Sequence, residues 1–69
     1  MTVVLQRILF PTELWTVDEM IKWLAVHGFV PIKMTKEGNY YHARMRIPKR
    51  GAKYRQKKVS KGLIFTFMY

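Results

Sequence analysis

The stretch T16-VDEMIKWLAVH-G28, residues 16–28, decides the fold. Thr16 and Glu19 stand at capping-box spacing: a threonine hydroxyl accepts from the backbone N–H three residues on, and the glutamate carboxylate returns to the threonine N–H. Val17, Met20, Ile21 and Leu24 recur at helical spacing, which makes one apolar stripe. Asp18 and Glu19 suit the positive end of a helix, and Gly28 falls where a left-handed C-terminal cap is needed. A helix over residues 17–27 is predicted. Trp23 and His27 lie one turn apart at the edge of the stripe, with Val26 on the opposite side.

Outward from this helix the chain reads as strands. Val3 to Phe10 is apolar except at Gln6 and Arg7 and rich in branched residues, which predicts a central strand ended by Pro11. After Gly28, FVPIKMT (29–35) alternates, with Val30, Ile32 and Met34 on one side. Pro31 cannot donate to a ladder, so this strand belongs at an edge. KEGN (36–39) turns the chain into YYHARMRI (40–47), where Tyr41, Ala43, Met45 and Ile47 form an apolar face opposite Tyr40, His42, Arg44 and Arg46. Pro48 opens a basic loop over about residues 48–62, and LIFTFMY (63–69) forms a last strand, apolar on both faces. The expectation is a single α+β domain: one helix packed on a three- to four-stranded, antiparallel-rich sheet in the order β-α-β-β-β.

Sixty-nine residues can build only one small core, yet 49% hydrophobic content is too high for disorder. Without cysteine there is neither a disulfide scaffold nor a thiolate zinc site. MTVVLQRILFP lacks the basic start and long apolar run of a secretion signal, and no segment reaches the roughly 20 apolar residues of a spanning helix. The expected setting is soluble and not secreted, with no membrane partner.

Charge is the leading functional signal. All four acids lie within residues 1–37 beside four bases, so the whole net charge of +9 falls after Glu37. A surface serving solubility alone mixes both signs. One helix covers one face of such a sheet, and the open face is expected to show Lys33, Tyr40, His42, Arg44 and Arg46. Cations interleaved with an aromatic suit a single-stranded nucleic acid: the cations follow phosphates and the ring stacks on a base. The same alternation is also the ordinary wet face of an antiparallel sheet. The candidate binding residues are Lys33, Tyr40, Arg44, Arg46, Lys49, Arg50, Lys53, Tyr54, Arg55, Lys57, Lys58 and Lys61. Catalysis has little support. His27 and His42 lack cysteine or acid partners for a metal, Ser60 has no local base, Asp18 and Glu19 serve the helix start, and the glycines are too scattered for a phosphate-binding loop. No enzymatic activity, cofactor or metal is expected.

Phe10, Trp15-Thr16, Glu19, Trp23-Leu24, His27-Gly28-Phe29 and Asn39-Tyr40-Tyr41 with Arg44 and Arg46 resemble a short module of tailed-phage head-region proteins and of large DNA virus proteins. Its pattern is F…WT..EA..WL..HG(F/Y) followed by ENYYRFRQ. The likeness spans roughly residues 8–46, and Lys61-Gly62 also fits. Met20 replaces the module's usual alanine, Gly38 intervenes between Glu37 and Asn39, and the basic loop is longer. The resemblance implies a phage or viral source and a compact αβ module, in host cytoplasm, nucleus or virion, but no activity. Two functions stay open: a nucleic-acid-binding module with largely sequence-independent phosphate contacts, or an interaction module docking an acidic protein surface. The last strand, if at an edge, would also allow homo-oligomers.

Overall fold

The computed structural model of the protein describes residues 3–69. Its elements are β1 (Val4–Pro11), α1 (Val17–Val26), β2 (Lys33–Glu37), β3 (Tyr40–Arg44), β4 (Tyr54–Lys58), a 3-10 turn at Ser60–Gly62, and β5 (Ile64–Met68). The strands form one antiparallel sheet in the order β2-β3-β1-β5-β4, with the helix on one face. The α+β class and the central place of β1 are as predicted, but there are five strands.

The helix starts and stops where its local chemistry dictates. The Glu19 amide donates to the Thr16 hydroxyl at 3.1 Å and the Thr16 amide donates to the Glu19 carboxylate at 3.0 Å, closing the capping box. The backbone and side-chain bonds from Thr16 hold the Glu19 carboxyl below its ordinary pKa. At the other end Gly28 takes φ 76, and the amides of Gly28 and Phe29 donate to the carbonyls of Ala25 and Leu24, the two bonds of a Schellman cap. His27 closes the helix with its ring stacked on Trp23 at 4.0 Å.

Met20 and Leu24 bury against Ile8, Phe10, Ala43 and Leu63, with Trp15 at one end. Phe10 meets Trp15 and Trp23 edge-on at 5.1 and 5.7 Å, and Trp23 meets Phe65 edge-on at 6.0 Å. These pairs join both ends of the helix to β1 and β5. The Trp15 indole N–H donates to the Lys61 carbonyl at 3.1 Å. Here the turn before β5 runs through two left-handed residues, Lys61 (φ 57) and Gly62 (φ 71). A Cβ on Gly62 would stand 3.0 Å from Pro11 Cγ, so glycine serves both the backbone angle and the close approach.

Gln6 determines how β3 ends. The β1–β5 register skips this residue, and its carbonyl accepts from the amides of both Met45 and Arg46, at 2.7 and 3.2 Å. Two residues thus oppose one, as in a bulge. The Gln6 side chain, fully buried, donates to the Arg46 carbonyl at 3.1 Å and accepts from Arg7 Nε at 2.8 Å.

Several expectations are corrected. The basic segment 48–62 is not one loop: it contains β4, which pairs with β5 through Tyr54↔Met68 to Lys58↔Ile64. The chain reaches β4 by a crossover, residues 45–53, which passes the ends of β1 and β5. β5 is therefore hydrogen-bonded on both sides, so it offers no edge for self-association; the free edges are β2 and β4. β2 is the expected edge strand, but it starts at Lys33, after Pro31. The edge lies beyond the helix, leaving Val30 86% exposed and Ile32 and Met34 exposed as well. Ile47, expected in the apolar face, is 75% exposed because β3 has already ended.

Candidate nucleic-acid interface

The open face follows from the register. One row crosses the whole sheet: Lys33, Arg44, Arg7, Thr66 and Gln56, each opposite the next. The next row holds Thr35, His42, Leu9, Ile64 and Lys58. Tyr40 lies at one corner opposite Pro11 and Glu37, and Tyr54 at the far corner opposite Met68. Directly opposed side chains stand about 5 Å apart at Cβ, so Lys33, Arg44 and Arg7 form one continuous line of charge. Among the described residues no Lys or Arg forms an ion pair with a carboxylate; the one contact of a basic side chain with a carboxylate is His42 Nε2 to Glu37 Oε2 at 3.7 Å.

Arg7 is fixed at the centre of this face. Its Nε donates to Gln6 Oε1 at 2.8 Å, and Nη1 lies 3.4 Å from His42 Nδ1. A guanidinium only donates, so this contact requires Nδ1 unprotonated, leaving the Nε2 proton to face Glu37. Burial lowers the His42 pKa most; Glu37 raises it, while Arg7 and Arg44 lower it further. The imidazole is thus held neutral at pH 7.

Of the residues named from sequence, the structure brings Lys33, Tyr40, Arg44, Tyr54 and Lys58 onto the open face. Lys49, Arg50 and Lys53 are exposed on the crossover. This segment adjoins the end of β5: the Lys49 amide donates to Met68 Sδ at 3.2 Å, and Lys53 and Tyr69 exchange backbone bonds at 2.9 Å. The other four leave the group. Arg55 and Lys57 oppose Phe67 and Phe65 and so belong to the helix side of the sheet. Lys61 turns its ammonium over the Trp15 ring at 5.7 Å. Arg46, expected in line with Arg44, instead lines a depression with Gly28, Phe29 and Val30 because the Gln6 bulge breaks the alternation. Arg7, Gln56 and Thr66 were missed. The adjacent polar pair Gln6-Arg7 within an apolar strand was the available signal: neighbours in a regular strand face opposite ways, so one of the pair required a special environment.

Among the described residues no helix is long and apolar enough to cross a membrane, and no three or more His, Asp or Glu side chains gather as a metal site. The chain matches no known family model, no curated protein and no solved structure.

Proposed function

We propose that this protein binds nucleic acid through phosphate contacts on the open sheet face and the crossover, with little dependence on sequence. The observation that carries the reading is the row Lys33–Arg44–Arg7, with Lys58 in the next row of the same face, where among the described residues no Lys or Arg forms an ion pair with a carboxylate. Uncompensated cations on a preformed face gain most from a polymer of regularly spaced anions, because each phosphate contact also releases counterions. Tyr40 and Tyr54, at opposite corners of that face, are placed to stack bases of a single strand. The helix supplies no base-reading surface: α1 bears Lys22 but also Asp18 and Glu19, which a groove repels. A single strand is therefore the preferred partner. On the resemblance noted above, the setting is a phage- or virus-infected cell or the virion.

A second reading has one observation of its own. The outer edge of β4 is unpaired and bears Arg55, Lys57 and Lys58, which suits an extended acidic segment of another protein adding to the sheet. Fluorescence anisotropy with single-stranded oligonucleotides at about 50 mM salt, with heparin as competitor, separates the two. Binding to several unrelated sequences alike, with heparin a weaker ligand, supports nucleic acid. Affinity too weak to measure, with a nuclease-resistant protein partner in a pull-down, overturns it in favour of the second reading.

A further inference from the structure

On the open face, Arg7, Thr66, Gln56 and Tyr54 line one concavity of about 440 Å³. Three strands contribute to it, and β4, read from sequence as loop, forms its outer wall. Two features there are unusual for a wet sheet face. Thr66 is only 5% exposed, and its hydroxyl is buried with no hydrogen-bond partner among the described residues. Buried polar groups are almost always paired, and leaving one unpaired is unfavourable. Arg7 beside it is held by Gln6 through Nε, its Nη1 reaches toward His42 at 3.4 Å, and among the described residues no carboxylate pairs with it. Its Nη2 edge stays free to donate.

We propose that this concavity is a seat for a single phosphate group. Groups able to donate line it: the rest of the Arg7 fork, the unpartnered Thr66 hydroxyl, which can donate as well as accept, and the exposed Gln56 amide directly opposite Thr66. A tetrahedral oxyanion accepts from all three at once, and a planar guanidinium matches two of its oxygens. A cation would meet Arg7 and is excluded. A free phosphate and a phosphodiester of a nucleic acid share this chemistry. The polyanion reading above supplies the second source, so the seat rests on that reading only for its source. Tyr54 in the wall then gives the attached nucleoside a ring to pack on.

The test is an NMR titration of the full chain with inorganic phosphate and, separately, with a dinucleotide, beside oligonucleotide anisotropy. The expected result is that both ligands shift the backbone amides of Arg7, Gln56 and Thr66 before those of residues 49–53. Thr66→Val, which removes the hydroxyl but keeps the shape, should weaken both by about tenfold, the loss expected for one hydrogen bond to a charged group. Arg7→Lys keeps the charge and should lose affinity with an unchanged salt slope, because only the fork is gone. Tighter binding of the dinucleotide than of phosphate assigns the seat to nucleic acid; equal binding assigns it to a free oxyanion. Shifts confined to residues 49–53, or a Thr66→Val protein that binds as tightly as the original, overturn the seat. The broader reading fails separately, if the unaltered protein does not bind oligonucleotides.

Discussion

Two pairs of substitutions with identical charge change separate a binding face from mere net charge. Lys33→Gln with Lys58→Gln removes two cations from the open face; Arg55→Gln with Lys57→Gln removes two from the helix side of β4. Each pair lowers the net charge from +9 to +7. All four residues are exposed, so each substitution should change stability by no more than about 0.5 kcal/mol. On a single strand each phosphate contact contributes about 0.7 to the slope of log affinity against log salt. Loss of both open-face contacts should therefore flatten the slope by about 1.4, and at about 0.1 M salt weaken binding about 25-fold. The helix-side pair should leave the slope nearly unchanged and weaken binding by less than about threefold, the residue of long-range attraction at a Debye length of about 10 Å. Anisotropy with an oligothymidylate from about 50 to 300 mM salt measures both quantities. Equal losses from the two pairs would refute the argument from the face, since only total charge would then matter. A larger loss from the helix-side pair would put the strand on the wrong side of the sheet.

Leu24→Ala should cost about 2 to 5 kcal/mol in denaturant unfolding, because Leu24 is 2% exposed inside the core, whereas Ile21→Ala on the same helix, 45% exposed, should cost about 1. Gly62→Ala should destabilise by about 1 to 3 kcal/mol, combining φ 71 with a 3.0 Å approach to Pro11; an unchanged Tm would show that the turn before β5 relaxes freely. His42 has a folded pKa below its unfolded value, so the unfolded chain binds more protons and stability should rise with pH. That contribution is complete above about pH 6.5 and is lost as pH falls through the lowered folded pKa. His42→Gln should remove this part of the pH dependence, and an identical profile in the variant would assign it elsewhere.

What was legible in the chain was what is decided locally. Thr16, Glu19 and Gly28 act within one turn of their own positions, so the helix could be bounded from sequence to within a residue. The central place of β1 followed from its apolar content. By contrast, YRQKK at 54–58 has no apolar alternation because all five residues are exposed at the sheet edge. It is a strand because β5 offers it a free edge to pair with, a partner its own side-chain pattern does not announce. Arg46 was placed beside Arg44 by counting alternate residues, and a single bulge at Gln6, forty positions earlier, cancels the count. The candidate site divided in the same way. Lys33, Tyr40 and Arg44 share β2 and β3, a two-residue hairpin whose register is set by Gly38 and Asn39. Arg7 comes from β1, far in the chain from Gln56 on β4 and Thr66 on β5, and the three meet only once the order β1-β5-β4 is known.

The pairing of β1 with β5 also governs how the molecule reaches this state. Val4 lies beside Met68, sixty-four positions apart, so the two innermost strands are joined by nearly the longest loop closure available to the chain. Such non-local pairing slows folding relative to helical proteins of the same size. During that delay Leu63–Met68, six residues without a charge, a proline or a glycine, is an exposed segment of high strand propensity. Lys57, Lys58 and Lys61 stand immediately before it, where like charges on neighbouring chains repel. Beyond the binding proposed for Lys58, this basic stretch thus acts before the native state forms, as the gatekeeper that keeps β5 for β1 and β4 of its own chain.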